Sequence, residues 1–367
     1  MMEFFKKRWF LISLLTLIVA GITLGYTVEA AKIEAFRERV PARWVTAFVL
    51  LLMAYSLDSR QLKAAFKSPA PVVWACSTNY MLIPLLGLAL MKLQRTPDFT
   101  IGLMIACSTP CTLAACSVWT RKAGGNDAVS LLTTLTTNTA CFIVAPLWLT
   151  AASSLTADSS DPVNIDLNKL AGKLIFVVLI PTIAGQLIRQ PAKSEAFARE
   201  NKTAIGVIAQ SSILFLVFLS ACAGGVKLQQ QGGISTQLAG IVVVWLSCVA
   251  IHLTALSVAW FGGSLFGFER KDRIGAAFSG SQKTLPIGVY LATDQTTFGG
   301  PAAFLGQAVP FAVFPMLMFH ASQLFLDTIV ADKMNAKGKR LEEESKAETK
   351  AADSPTPGET EPQPDER

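Results

Sequence analysis

Apolar residues along this chain come in long blocks separated by short charged stretches. That is neither the alternation of a half-buried strand nor the three-to-four spacing of a soluble helix. The blocks run approximately Trp9–Tyr26, Trp44–Leu57, Ala70–Met91, Phe99–Trp119, Ala128–Ala151, Leu170–Ile188, Ala204–Gly224, Leu238–Phe266, Ile274–Thr293 and Ala303–Ile329. Most approach the ~20 residues a helix needs to cross a bilayer. Helices satisfy their own backbone in lipid, so the pattern predicts an all-α polytopic membrane protein with ten transmembrane helices. The second block is short and extends toward Lys63, while Ser, Thr and Gly dilute the fifth and ninth. From about Met334 the apolar residues disappear. The Pro- and Glu-rich remainder, 334–367, predicts a disordered cytoplasmic tail outside a transmembrane domain of residues 1–333.

Two blocks are interrupted, the fourth at STPCT (108–112) and the ninth at QKTLPIG (282–288). Proline removes a helical N–H and displaces the preceding turn. At Pro110 and Pro286 it coincides with clustered polar and small residues, whereas Pro84, Pro146, Pro181, Pro310 and Pro315 read as kinks. The polar loop Thr156–Asn168 divides the spans five and five, and each half opens on an apolar helix ending in an Ala-Gly pair. Five spans per half predicts two inverted repeats, about 9–152 and 166–330, with the interrupted helix fourth in each. Matched interruptions are the sequence signature of a transporter binding site.

The candidate chemistry lies around these interruptions. Pro110 leaves carbonyls near Ser108–Thr112 in need of partners. Ser130, Thr134, Thr137 and Asn138 recur at helical spacing, forming a polar stripe suited to a hard cation. Lys283 sits near mid-membrane, where an uncompensated lysine costs ~2.5–3.5 kcal/mol and marks function by default. Asp58, Asp294 and Asp327 all fall near span ends, so its partners are expected to be backbone carbonyls, the oxygens of Ser130, Thr134 and Asn79, or an anionic substrate. The expected substrate cleft is lined by Lys283, Thr284, Pro286, Pro110, Thr112, Asn138 and His320. His252 and His320 could each relay a proton, but read first as hydrogen-bonded core residues. Gly124 and Gly125 of RKAGGND end one helix, and Asn126 or Asp127 caps the next.

Composition agrees with this pattern, at 51% hydrophobic and 16% charged residues over 367. The net charge of +6 does not mark a nucleic-acid binder, because no soluble module carries a basic face. Clusters such as Lys6–Arg8, Arg121–Lys122 and Arg270–Arg273 outnumber those on the opposite side, placing both termini in the cytoplasm. The first loop, KIEAFRERVPAR, opposes that assignment. The opening segment has signal-peptide features, yet its long apolar core reads as the first span. All seven cysteines lie in apolar blocks and read as reduced packing residues, with no cofactor implied. No nucleophile–base pair, metal cluster or carboxylate pair sits at membrane depth, which excludes an enzyme.

TRKAGGNDAVSLL (120–132), FSGSQKTLPIGVYLA (278–292), PMLMFHASQLFLD (315–327) and NYMLIPLL (79–86) together resemble the bile acid:sodium symporter family. They are most like its branch typified by solute carrier family 10 member 7 and its bacterial relatives. The resemblance implies a core domain built around crossing helices four and nine, and a panel domain of helices one, two, six and seven. It also implies a cleft between the domains and two sodium ions behind the crossing. By motif, one sodium site is expected at Cys116, Ser117, Ser130 and Thr134. The other is expected at Asn79, backbone near Ser279–Ser281, and Gln282. The chain departs from the pattern at Phe278, where bile-acid-type members have a glutamate, and at Lys283, which adds an ammonium.

The expected protein is therefore a secondary transporter of the bacterial inner membrane, monomeric or dimeric. It is expected to couple an organic anion to Na⁺ by alternating access. Two alternatives stay open: a proton-coupled or uncoupled carrier in which Lys283 replaces a sodium ion, and a non-transporting membrane regulator of calcium homeostasis.

Overall fold

The computed structural model describes residues 2–57, 69–113, 115–156, 166–230, 238–293, 303–304, 307–308 and 310–352. Nearly all are helical. In chain order the helices are α1 (Met2–Thr27), α2 (Ala30–Glu38), α3 (Ala42–Ser56), α4 (Pro69–Met91), α5 (Pro97–Ser108), α6 (Ala115–Lys122) and α7 (Asp127–Thr156). They continue as α8 (Leu167–Arg189), α9 (Ala192–Glu200), α10 (Lys202–Gln230), α11 (Leu238–Leu265), α12 (Arg270–Ser281), α13 (Leu285–Thr293) and α14 (Val313–Ala352). Six of them, α4, α7, α8, α10, α11 and α14, are long and apolar enough to cross a membrane. Shorter apolar helices occupy Ile12–Thr27, Ala42–Ser56 and Pro97–Ser108.

The interruptions fall where proline and polar residues cluster. The fourth block is split into α5 and α6, the ninth into α12 and α13. Two predicted boundaries move. The last helix starts at Val313 rather than Ala303, after a two-residue antiparallel pairing of Ala303–Phe304 with Gln307–Ala308 and a 3₁₀ turn at Pro310–Ala312. Proline cannot donate to a preceding turn, which favours a start at this point. That helix also runs on to Ala352, where composition predicts a disordered tail from Met334. The run LEEESKAETKAA is built from strong helix formers, and this outweighs its polarity. Lys63, Asp58 and Asp294, named above, lie outside the described residues, as does 353–367.

The helices pack in two sets. α1, α3, α8 and α10 lie against one another, and α4 to α7, α11, α12 and α14 form the other. α8 packs against α7 as well as α3, and α13 against α3 and α10 as well as α14, so these two helices join the sets. The α1–α10 contact is held by glycine. A Cβ on Gly25 would fall 1.9 Å from the Cys222 carbonyl oxygen, and one on Gly225 would fall 2.2 Å from that of Ile22. Small residues let membrane helices approach this closely where lipid supplies no hydrophobic force between them.

A crossing of two interrupted helices as candidate site

The two interruptions meet. The Thr284 amide donates to the Pro110 carbonyl at 2.9 Å, a backbone bond between segments far apart in sequence. Each upstream helix ends on an extended residue, Thr109 (ψ 154°) and Gln282 (ψ 147°). The ends of α5 and α12 thus bring carbonyl-rich C-termini to the crossing, opposite the N-termini of α6 and α13. C-termini favour a cation and N-termini an anion.

Each proline frees a specific carbonyl, and each freed carbonyl finds a side chain. Pro110 cannot bond the Ala106 carbonyl, which accepts the Thr109 hydroxyl at 2.9 Å. Pro286 likewise frees the Gln282 carbonyl, which accepts the Asn79 amide at 2.9 Å. On α4, Pro84 frees the Tyr80 carbonyl for the Trp148 indole at 2.8 Å. A π-turn at Thr78–Leu82 completes the set. Ile83 N–H bonds Thr78 rather than Asn79, so the Asn79 carbonyl has no helical donor.

Lys283 uses that carbonyl. Its ammonium donates to the Asn79 backbone oxygen at 2.7 Å, to Asn79 Oδ1 at 3.0 Å and to the Thr109 carbonyl at 2.7 Å, with its Nζ 5.6 Å from the Tyr80 ring centroid. Three donors meet three acceptors. Lys283 is 0% exposed, and its three acceptors are all neutral oxygens. The charge is held by carbonyl dipoles bridging α4 and the end of α5. Asn79 Nδ2 covers the neighbouring carbonyls of Ser279 and Gly280 at 3.3 Å each.

Polar side chains of α7 and α14 pin the two breaks in the same way. Asn138 Nδ2 donates to the Cys111 carbonyl at 2.8 Å, while the Cys111 amide reaches Thr137 Oγ1 at 3.3 Å. On the other side Gln323 Nε2 donates to the Lys283 carbonyl at 3.0 Å and Oε1 accepts its amide at 2.9 Å. His320 Nδ1 accepts a second Gln323 proton at 2.9 Å. Oxygens remain open within the crossing. Asn138 Oδ1, Gln282 Oε1 and Thr284 Oγ1 are buried without a hydrogen-bond partner.

The side chains expected at the first sodium site are already engaged, mostly with groups outside the set. Thr134 Oγ1 lies 3.1 Å from Cys116 Sγ and donates to the Thr112 carbonyl at 3.3 Å. Ser130 pairs with Thr120 at 2.6 Å. Ser117 is directed away from these, donating to Asp127 and accepting from Arg121 at 2.7 Å. Of the second set, Asn79 and Gln282 stand at the crossing, whereas the Ser279 and Ser281 hydroxyls bond carbonyls of their own helix. Asn126, rather than Asp127, caps α7 by accepting the Ala128 amide at 3.1 Å, and Gly124 ends α6 with φ +74°.

One expectation is corrected. Asp327, expected near a span end and without a part at the break, is wholly buried and bonded to it. Its Oδ2 accepts Gln282 Nε2 at 2.5 Å and its Oδ1 lies 2.9 Å from His252 Nε2. The spacing of His320, Gln323 and Asp327, three and then four residues apart, was the available signal. It places all three on one face of α14.

A helical membrane protein whose two interrupted helices cross at a buried polar centre has the make-up of a transporter, not of an enzyme. The chain belongs to the SBF-like CPA transporter family, the bile acid:sodium symporter group, whose sequence pattern it matches over residues 8–336. It is similar to an uncharacterized protein of Pseudomonas aeruginosa, 27% identical over 270 residues, 71% of this chain and 74% of the relative. A probable sodium/metabolite cotransporter, BASS4 of Arabidopsis chloroplasts, is 24% identical over 328 residues (88% and 72%). Sodium/bile acid cotransporter 7-A of Xenopus laevis is 20% identical over 338 residues (90% and 92%).

Proposed function

We propose that this chain is a secondary transporter of a small organic anion, working by alternating access, and that Lys283 is a built-in cation at the crossing. The observation that carries this is the coordination of its ammonium. Three oxygens from two helices surround Nζ at 2.7–3.0 Å, as oxygens would surround a bound ion. The proposed architecture is ten spans in two inverted repeats, with α1, α3, α8 and α10 as panel and the remainder as core. The equivalent pinning of Cys111 by α7 and of Lys283 by α14 supports it. The fixed charge and the N-termini of α6 and α13 favour a negative substrate in the cleft beside Thr284, Pro286, Pro110, Thr112, Asn138 and His320. All three Lys283 protons are bonded to protein, so the ammonium attracts the anion without touching it in this conformation. The inner membrane, with both termini cytoplasmic, is the proposed location.

Sodium is proposed as the coupling ion at the first set only. Ser117, Ser130 and Thr134, with the Thr112 carbonyl, offer hard oxygens once their hydroxyls turn from Asp127, Thr120 and Cys116. No sodium is assigned to the second set, because Lys283 and the Asn79 amide already hold its carbonyls. A proton-coupled carrier is the second reading. It is favoured by the hydrogen-bonded closure of the first set and by the soft thiol of Cys116 within it.

The test is a thermal-shift screen of the purified protein against organic anions, in NaCl and in choline chloride, followed by vesicle uptake of the anion that stabilises it. Stabilisation by an anion in NaCl but not in choline chloride supports sodium coupling. Equal stabilisation in both moves the assignment to the proton. No shift with any anion class, at concentrations that saturate relatives, counts against the transport reading.

A further inference from the structure

We propose that His252 and Asp327 together form a buried proton-binding site, and that the proton held there fastens the interrupted ninth segment to α11 and α14. This deepens the proton-coupled form of the reading above and names its site.

Both ring nitrogens of His252 face oxygen. Nδ1 lies 3.2 Å from the Ser281 carbonyl and Nε2 lies 2.9 Å from Asp327 Oδ1. A carbonyl oxygen accepts only, so Nδ1 carries a proton. On the other side one proton lies between Nε2 and Oδ1, on the imidazole as an ion pair or on the carboxyl as a neutral pair. Asp327 Oδ2 is already taken by the Gln282 amide at 2.5 Å, which leaves Oδ1 as the oxygen that shares this proton. The count is the same in either form: the pair holds one exchangeable proton and is neutral overall.

Its loss has a structural consequence. Deprotonation would leave a carboxylate facing the bare lone pair of Nε2, with net negative charge at a site where both residues are 0% exposed. Burial penalises that charge heavily, so the proton leaves only when the cluster opens to water or a positive charge moves in. The same cluster binds the break at two consecutive residues, Ser281 through His252 and Gln282 through Asp327. Gln282 Oε1, buried without a hydrogen-bond partner, is the acceptor left for a proton-carrying water. Release of the proton and release of the break are therefore one event.

Few other titratable groups face the pair. From the break, Lys283 is turned to Asn79 and Thr109. From α14, His320 is bonded to Gln323. On α11 the Cys248 thiol donates to the Pro315 carbonyl. From α5 comes the buried thiol Cys107 and from α4 Tyr80, whose hydroxyl donates to the Thr137 carbonyl. Arg273 of α12 is turned to the Trp260 carbonyl. From α6, packed against α14, Lys122 pairs with Asp332 of α14 at 2.7 Å and Arg121 pairs with Asp127 at 2.6 Å, so these charges are answered locally.

The sign follows. The loaded pair holds the break at low pH, and the hold is lost as pH rises through the titration of the pair. Full-length protein in nanodiscs, without any substrate, is titrated from about pH 4 to 10, a range spanning ordinary carboxyl to amine behaviour. Infrared spectra report imidazole and carboxyl protonation, and hydrogen exchange of a peptide covering 279–288 reports the break. In the wild type one coupled imidazole–carboxyl signal should titrate, and exchange of the peptide should accelerate at least about tenfold above the intrinsic pH trend across that step. Asp327→Asn, isosteric with the protonated carboxyl and able to donate to Nε2 in its place, should abolish the coupled signal and leave the peptide slow at all pH values, whereas His252→Gln should abolish the signal and leave it fast. The proposal is overturned if the wild type neither gains nor loses this proton, if His252 titrates with the same midpoint in Asp327→Asn, or if the peptide ignores the titration. Should His252→Gln not fold, Asp327→Asn decides alone. Because proton binding is read without substrate, a failed uptake assay bears on the transport reading and not on this one.

Discussion

Replacing Lys283 by methionine removes the ammonium while keeping the length of the side chain. The stability cost can be worked from its contacts. Hydrogen bonds to a charged group contribute about 1.5–3 kcal/mol each, so the three bonds to Asn79 and Thr109 amount to roughly 5–9 kcal/mol. Burying an ammonium costs several kcal/mol, which methionine avoids. The two contributions offset only in part, because three buried oxygens lose their donor, and leave a net destabilisation of roughly 2–4 kcal/mol. In a chain of this size that is a fall in Tm of several degrees, on the order of 4–8 °C. Transport has no such compensation, because the positive charge is gone from the crossing. Uptake of the anion found by thermal shift should fall at least about 100-fold, equivalent to about 2.7 kcal/mol. Lys283→Arg should not rescue it, since a planar guanidinium brings five donors to a site with three acceptors. The assays are vesicle uptake, and unfolding of purified protein followed by tryptophan fluorescence. Uptake at the wild-type level in Lys283→Met would refute the role given to the charge. A Tm fall beyond about 10 °C would instead make Lys283 a structural residue.

Gln323→Leu strands the amide and carbonyl of Lys283, each costing about 1–3 kcal/mol when buried and unpaired; thermal unfolding should show a loss of roughly 2–6 kcal/mol, and a loss under about 1 kcal/mol would mean the break is held without it. Gly25→Ala drives a methyl into the Cys222 carbonyl and should cost at least about 3 kcal/mol by separating α1 from α10. Unchanged thermal stability of that variant would show the contact to be slack. Thr134→Val removes one oxygen of the proposed sodium set, and should raise the Na⁺ concentration for half-maximal uptake at least about tenfold while leaving stability nearly unchanged. The same half-maximal concentration in both proteins would remove Thr134 from the ion's path.

The helices were legible because membrane burial imposes a pattern that sequence carries directly: blocks of apolar residues as long as a bilayer is thick. Both interruptions were legible for a related reason, since Pro110 and Pro286 deny the backbone a donor inside such a block. Two outlying helices, α2 and α9, are short and mixed in polarity, so nothing in their pattern distinguishes them from loop. What could not be read was which distant groups answer each freed carbonyl. Asn79 reaches Gln282 only because a π-turn on α4 rotates it toward the break, and that turn has no sequence signature beyond the nearby Pro84.

The role of Asp327 is not legible from hydropathy, which reports how far a residue lies along a span and not what covers it. Its carboxyl is inside the protein, where a buried charge persists only with partners. The partners are Gln282 and His252, so the polar residues of α14, α11 and the ninth segment form one system. Its consequence for mechanism is a division of charge along three consecutive residues. Lys283 bears a fixed cation toward α4 and α5, Gln282 links the break to a carboxylate, and Ser281 links it to a titratable ring. On the proposed reading, a carrier built this way changes the charge of its crossing by one proton without disturbing the bonds of the Lys283 ammonium.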